Sequence, residues 1–308
     1  MTPPLRLLVA HPDRDTEQAW QAALCTALPE ASVEAWQPDS APADYAVGWA
    51  VPAALFATQP ALKAFFCAGA GVDDLLSSPE VPPQLPLLRI EDAGMGEQMA
   101  DYCSAAVLGW FTRGADYARQ QTQGQWRELP LQQRADWPIG VFGLGALGQV
   151  VVRRFEQLGF PVQGCSRSLL ASGVVTLEAF LRRSRVLILL APLTAQTRGL
   201  FTAQRLAWLP PGACLINVAR GALVDEAALL AALDSGQLAA AQLDVFAHEP
   251  LPAAHPFWQH PRVRVTPHTA AYTVIGPAAI QIAQRIRLLA QGRDVQSLAG
   301  WVRRDRGY

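Results

Sequence analysis

The chain has 308 residues, 51% hydrophobic and 17% charged, with a formal net charge of -1. That length suits two domains of about 100–200 residues each, and the apolar content excludes a disordered or fibrous chain. A balanced charge with no basic block excludes the electrostatic footprint of a nucleic-acid binder.

In chain order, short apolar runs alternate with helical patterns, which predicts parallel sheets with helices on both faces. The first strand series is Leu5–Ala10, Ser32–Trp36, Tyr45–Trp49, Ala64–Cys67 and Leu87–Ile90. These read as continuous apolar runs, as strands covered on both faces should. A proline-rich stretch, Pro79 to Pro86, is expected as a surface loop, and Gly94-Met95-Gly96 as a hinge. From Glu97 to about Arg119 a single long helix is expected, apolar nearly all round, which must be covered on most of its surface. The second strand series is Pro138–Phe142, Pro161–Cys165, Arg185–Leu190, Ala213–Val218, Ala239–Asp244 and Val263–Thr266. Helices are expected at Ala146–Leu158 and Asp225–Asp234, and a last amphipathic one runs from about Val274 to Gln291. The fold class is therefore α/β, with two doubly wound parallel-sheet domains.

The five cysteines, Cys25, Cys67, Cys103, Cys165 and Cys214, are odd in number, far apart and without a C-x-x-C pair. Buried reduced thiols are expected, not disulfides or a zinc site. No apolar run approaches the ~20 residues of a membrane span, and the one within Met1–Ala10 is too short for a signal segment, so a soluble cytoplasmic protein is expected.

Ile139 to Gly148 is a strand running into G-x-G-x-x-G and then a helix. Gly143 permits a tight turn, Gly145 lets backbone approach a pyrophosphate, and Gly148 lets helix and strand pack closely. The pyrophosphate is expected on the free N–H groups of the helix N-terminus. The plain alternative, a merely tight glycine turn, fits less well with a strand before, a helix after and a strand again at Pro161. An NAD site usually places Asp or Glu at the end of the second strand to accept from the ribose 2′-OH. Here that strand ends Gly164-Cys165-Ser166-Arg167-Ser168, with no acid. Arg167 can pair with a 2′-phosphate and the serine hydroxyls Ser166 and Ser168 can donate, so NADP(H) is expected in preference to NAD(H). The alternative for Arg167 is a solvated arginine after a strand.

Three stretches lie near second-series strand ends, where open α/β sheets place ligand chemistry: Ile216–Gly221, Leu243–Leu251 and Thr266–Ala271. They offer Arg220 to bind a carboxylate and polarise a ketone, His268 to deliver a proton, and Glu249 to orient that imidazole. Each has a bland reading alone: a surface ion pair, a loop cap, a packed imidazole. Together they match the needs of carbonyl reduction. His255 and His260 share a proline-rich loop without a suitable acidic third ligand and His11 is alone, so no metal site is expected. No G-x-S-x-G elbow is present, which leaves a hydrolase triad unsupported.

The sequence resembles the D-isomer-specific 2-hydroxyacid dehydrogenase family, and within it the glyoxylate/hydroxypyruvate reductases, over nearly its whole length. The resemblance runs through Ala68–Asp73, Glu91–Met99, Gly143–Gly148, Ala191–Thr194, Asn217–Gly221, Leu243–Leu251, Pro267-His268 and the ending Asp305–Tyr308. It implies a flavodoxin-like substrate domain (1–97 plus 275–308) and a Rossmann-type NADP-binding domain (98–274), with the active site in the cleft between them. It implies Arg220 as the substrate-binding arginine, His268 as proton donor and Glu249 as its partner. For substrate it implies Trp49, Ala70, Gly71 and Met95 besides Arg220. For cofactor it implies Gly143, Leu144, Gly145, Ala146, Leu147, Gly148, Ser166, Arg167, Ser168, Ala191, Pro192, Leu193, Thr197, Val218, Ala219, Asp244 and His268, with Asp244 toward the nicotinamide carboxamide. The expected reaction is reduction of a small 2-oxo acid by NADPH; the apolar helix 97–119 suggests a homodimer, with Trp126 a candidate for the neighbouring subunit's pocket. Alternatives are a dehydrogenase of a larger 2-hydroxy acid, and a non-catalytic NADP-sensing protein on the same fold. The family often has an acid where Ser166 stands and another pair at Thr269-Ala270, so neither feature is carried over.

Overall fold

Apolar runs bounded by turn residues become parallel strands in the computed structural model, which describes residues 5–308. All eleven expected strands are present, each within one residue of the expected ends. The chain divides into two compact units, one running to Met95 and resuming at Tyr272, the other spanning Gly96–Ala271.

In the first unit β1 (Arg6–Ala10), β2 (Ser32–Ala35), β3 (Tyr45–Gly48), β4 (Ala64–Cys67) and β5 (Leu87–Arg89) form one sheet in the order β2-β1-β3-β4-β5. All four pairings are parallel, and the order is that of the flavodoxin type. β3 and β4 are buried at every position, so neither face can be polar. The edge at β5 is closed by the end of the chain: Arg89 N–H donates to Gly300 O at 2.8 Å and Val302 N–H to Leu87 O at 2.9 Å. The buried Arg285 guanidinium holds the Arg89 carbonyl at 2.8 Å. An edge strand covered in this way offers no template for pairing with another chain.

In the second unit β6 (Ile139–Phe142), β7 (Val162–Cys165), β8 (Val186–Leu189), β9 (Ala213–Asn217), β10 (Leu238–Leu243) and β11 (Val263–Val265) form a parallel sheet ordered β11-β10-β9-β8-β6-β7. Its residues alternate between two buried clusters. Phe142, Leu187, Leu189 and Leu215 pack on one face, and Ile139, Val141, Val186, Ile188 and Ile216 on the other. Strand order reverses between β6 and β8, and ligands of open α/β sheets bind outside the carboxyl ends of strands at such a point.

The long helix expected at 97–119 is two helices, Met95–Phe111 and Gly114–Thr122. Arg113 between them is left-handed, at φ 58°, and Thr112 Oγ1 donates back to Leu108 O at 2.7 Å. Closing the first helix on its own carbonyls, with the flexible Gly114 next, lets the chain change direction. The thiol expectation also needs one correction. Four cysteines are buried, but Cys25 sits on the exposed side of the amphipathic helix Arg14–Ala27, facing solvent. Among the described residues no helix is long and apolar enough to cross a membrane.

Candidate active site

β6 delivers the chain to Gly143, whose φ of +117° turns it toward the helix Ala146–Gln157. A Cβ on Gly143 would stand 2.5 Å from the Ala191 nitrogen, and one on Gly148 only 1.9 Å from the Gly143 oxygen. Backbone occupies both spaces, so any side chain there forces helix and strand apart. Gly145 differs. A Cβ on it meets nothing within 4 Å, and no side chain caps the helix that follows. The first N–H groups of that helix therefore face open space with the positive end of the dipole behind them, which fits a pyrophosphate. Leu144 lies over Gly164 in β7, while Ala146 and Leu147 form the first helical turn.

At the end of β7, Ser166 Oγ caps the short helix Arg167–Ala171, accepting from Leu169 N–H at 3.4 Å and pairing with Ser168 Oγ at 2.9 Å. No carboxylate stands among 166–168, and Arg167 and Ser168 are exposed. After β8, Thr197 Oγ1 accepts from Thr194 N–H and donates to Pro192 O, both at 2.8 Å, which pins the loop carrying Ala191, Pro192 and Leu193.

β9 ends on buried Asn217, whose amide shapes the next turn. Its Nδ2 donates to Arg220 O at 3.0 Å and its Oδ1 accepts from Ala219 N–H at 3.2 Å. Val218 N–H donates to Leu189 O at 3.4 Å. Arg220 Nη1 donates to Ala219 O at 2.7 Å. A Cβ on Gly221 would lie 1.9 Å from the Phe246 carbonyl carbon, so the loops leaving β9 and β10 meet backbone to backbone. The contact continues: Phe246 N–H donates to Glu249 Oε1 at 2.9 Å, and Glu249 Oε2 is 2.8 Å from His268 Nδ1. A carboxylate can only accept, so Nδ1 carries a proton and Nε2 is the ring position left for chemistry. The structure thus joins Glu249 directly to His268 and fastens the turn of Arg220 to the same loop.

His268 has a φ of +55°, a left-handed conformation rare for a residue with a side chain. Asp244, only 1% exposed, surrounds that turn with acceptors. Its carbonyl accepts from His268 N–H at 2.8 Å, its Oδ1 from Thr269 N–H at 2.8 Å and Thr266 Oγ1 at 2.6 Å, and its Oδ2 from Ala270 N–H at 2.9 Å. In the first unit Trp49 follows β3 and the Ala70–Gly71 turn follows β4, both at carboxyl ends of strands. There Thr273 Oγ1 donates to Met95 Sδ at 3.5 Å.

Residues 104–270 match a family profile described as D-isomer specific 2-hydroxyacid dehydrogenase, NAD binding domain. The chain belongs to the D-isomer-specific 2-hydroxyacid dehydrogenase family. A solved member from Xanthobacter autotrophicus Py2, in complex with NADPH and MES, is 37% identical with a TM-score of 0.89, over 98% of this chain and 100% of that one. The NADPH-dependent glyoxylate/hydroxypyruvate reductase of Sinorhizobium meliloti, in complex with NADP and sulfate, is 33% identical with a TM-score of 0.89, over 99% and 100%. A probable 2-hydroxyacid dehydrogenase from Rhizobium etli, in complex with NADP, HEPES and L(+)-tartaric acid, is 26% identical with a TM-score of 0.84, over 99% of each chain.

The dehydrogenase also contains polar groups to which sequence reasoning gave no role. Asn217 and Gln242 are buried polar residues in apolar strands. That is the available signal, because such residues persist in a core only when fully bonded. Tyr102 falls within the apolar helical pattern of 97–119, yet its hydroxyl lies 2.5 Å from Thr266 Oγ1. Two other histidines tie loops: His255 Nε2 is 3.5 Å from Glu226 Oε2 and His260 Nε2 3.3 Å from Asp234 Oδ1. Among the described residues no group of three His, Cys, Asp or Glu is placed to hold a metal ion. Burial pushes the Cys165 thiol up to about 11 and the Cys214 thiol to about 12, so both stay protonated and unreactive near neutrality.

Proposed function

We propose that this dehydrogenase reduces the C2 carbonyl of a small 2-oxo acid of the glyoxylate/hydroxypyruvate class, with NADPH preferred over NADH. The observation that carries the reading is the Glu249–His268 pair, bonded at 2.8 Å and tied through Phe246 to the turn of Arg220. When bound, the dinucleotide supplies the hydride. The chain supplies the rest. Arg220 binds the carboxylate or ketone oxygen and stabilises charge developing there. His268 delivers the proton from Nε2, and Glu249 holds the tautomer that makes this possible. In the first unit the Ala70–Gly71 turn takes a carboxylate, with Trp49 and Met95 as apolar walls that favour a short substrate. In the second, the residues from Gly143 to Gly148 take the pyrophosphate, and the loops holding Ala191, Pro192, Leu193, Thr197, Val218 and Ala219 line the dinucleotide.

Preference for NADPH rests on Ser166, Arg167 and Ser168 standing where an acid would repel a 2′-phosphate. Two relatives solved with NADPH or NADP, one of them named an NADPH-dependent glyoxylate/hydroxypyruvate reductase, support the same choice. The reading extends to the cytoplasm and to a homodimer, the latter supported by Trp126 and Leu131, which stand almost fully exposed beyond the helix Gly114–Thr122. Light scattering reads the mass directly.

The decisive assay follows NADPH oxidation with glyoxylate, hydroxypyruvate and a branched 2-oxo acid. Turnover of the first two supports the reading, and turnover of the branched acid alone overturns the substrate class. NADPH binding with no turnover of any 2-oxo acid favours a sensor. Arg167→Ala should weaken NADPH more than NADH, and equal losses would remove Arg167 from the 2′-phosphate site.

A further inference from the structure

We infer that Tyr102 is a positioning residue for His268, acting through Thr266 and Asp244. The inference rests on the reading of His268 as the proton donor. It starts from strain. A left-handed residue with a side chain is strained, and it persists only where its surroundings over-determine it. His268 stands at φ +55°, and the direction in which its imidazole leaves the backbone depends on that turn.

Asp244 supplies the constraint, with its carbonyl on His268 N–H and its two carboxylate oxygens on the N–H groups of Thr269 and Ala270. A carboxylate in a core must itself be oriented, and here Thr266 does so by donating to Asp244 Oδ1 at 2.6 Å. A hydroxyl has one proton. With that proton spent on Asp244, Thr266 Oγ1 can only accept from Tyr102, 2.5 Å away. With its own proton spent on Thr266, the Tyr102 oxygen accepts from Gln242 Nε2 at 2.6 Å. The donors therefore run one way, from Gln242 through Tyr102 and Thr266 to Asp244, and no member can reverse without breaking its neighbour.

The relay joins two separate elements to the His268 turn. Tyr102 stands on the helix Met95–Phe111, while Gln242 stands on β10. Gln242 and Asp244, the two ends of the relay, are 7% and 1% exposed and so are held away from water. Burial also holds the Tyr102 phenol above its ordinary range, outweighing the opposing effect of its hydrogen bonds to Thr266 and Gln242, which keeps it a donor across neutral pH. Removing the phenol hydroxyl takes from Gln242 Nε2 its acceptor and from Thr266 Oγ1 its donor, so nothing but Asp244 then holds the Thr266 hydroxyl in place. The Thr266 hydroxyl is then free to rotate, and Asp244 loses the orientation that the relay imposes.

The test uses the full-length protein carrying Tyr102→Phe, with Thr266→Val and Thr266→Ser beside it. In Tyr102→Phe, kcat for glyoxylate should fall about 10-fold, since small misplacement of a reacting group is costly. The Kd for NADPH should stay within about twofold, because no bond of the relay is made to the Gly143–Gly148 turn. Thr266→Val should fall further, and Thr266→Ser, which keeps the hydroxyl, should recover most of the loss. Nitrogen-15 NMR of the imidazole in the free protein supplies the readout that a general loss of packing does not mimic. The His268 ring signals should shift or broaden in Tyr102→Phe while those of His255 and His260 stay put.

Unchanged His268 signals with unchanged kcat overturn the inference, as does a kcat loss matched by an equal loss of NADPH affinity. His268→Asn separates the two levels. If it retains near-normal turnover, the proton-donor reading fails while the ring signals still decide the positioning. If it abolishes turnover and Tyr102→Phe is indistinguishable from wild type, the positioning fails and the donor reading stands.

Discussion

The indole of Trp49 rests directly on Gly69: a Cβ built at residue 69 would stand 2.4 Å from Cζ3 and 2.9 Å from Cε3 of the ring. Gly69 is held from behind, because Ile90 N–H donates to its carbonyl at 3.1 Å, so the ring must yield and not the backbone. Trp49 is 37% exposed and can swing outward. Gly69→Ala should therefore cost little stability, at the low end of the ~1–3 kcal/mol of overpacking. It should raise KM for glyoxylate several-fold with NADPH affinity unchanged. Equal KM values in mutant and wild type would remove Trp49 from the substrate wall.

The glycine turn after β6 separates folding from binding. Gly148→Ala forces a methyl to within 1.9 Å of the Gly143 oxygen and should cost several kcal/mol or prevent folding, read as a lower denaturation midpoint. Gly145→Ala meets nothing within 4 Å and should leave that midpoint within about 1 kcal/mol of wild type. Its methyl stands where the dinucleotide must approach, so NADPH affinity should drop 10-fold or more by fluorescence titration. Normal affinity in Gly145→Ala would mean that the pyrophosphate lies elsewhere.

Much of this was readable in advance for a simple reason. Parallel strands covered on both faces are nearly continuous apolar runs, so β3, β4, β8 and β9 announce themselves, and turn residues bound them. Arg220, Glu249 and His268 stood out as candidates because charged groups at strand ends are conspicuous, and of these the structure bonds Glu249 to His268. The break at Arg113 was not, because an apolar helical period runs on through the junction and only a left-handed dihedral interrupts it. Nor was the bonding of Tyr102, since the partner of a phenol 164 residues from Thr266 in sequence is set by tertiary packing and not by pattern.

Glu249 holds two donors at once, the Phe246 N–H on Oε1 at 2.9 Å and His268 Nδ1 on Oε2 at 2.8 Å. An amide cannot serve both, since one of its two positions is itself a donor. In Glu249→Gln the NH2 must oppose either the backbone N–H or the imidazole N–H, and the ring is the freer partner. His268 then moves its proton to Nε2 or turns away. Turnover should fall by about 10- to 100-fold, less than the 10²–10⁴-fold expected for His268→Asn, which removes the proton donor outright. Steady-state kcat with saturating NADPH measures both. A Glu249→Gln variant as active as wild type would mean that the carboxylate orients nothing.

Asp44 gives the first unit a pH dependence that involves no proposed active-site residue. It ties the beginnings of three strands: its Oδ2 accepts from Arg6 N–H at 2.9 Å, its own N–H donates to Arg6 O at 3.0 Å, and Lys63 N–H donates to its carbonyl at 2.8 Å. The Lys63 ammonium, the only lysine in the chain, lies 2.8 Å from Oδ1. Burial alone would push this carboxyl up, but the bonds from Lys63 and the Arg6 backbone, with the charges of Lys63 and Arg6, outweigh it and hold the group below its ordinary value. A carboxyl depressed by folding stabilises the folded state above its unfolded pKa of about 4, and that contribution is lost as pH falls through the lower folded value. The pair is partly exposed, so the gain near neutrality should be about 1 kcal/mol or less. Lys63→Met should be less stable than wild type in urea at neutral pH by that amount, and the gap should close as the pH drops below about 4. A gap that stays constant with pH would assign the loss to the lysine's packing and not to its charge.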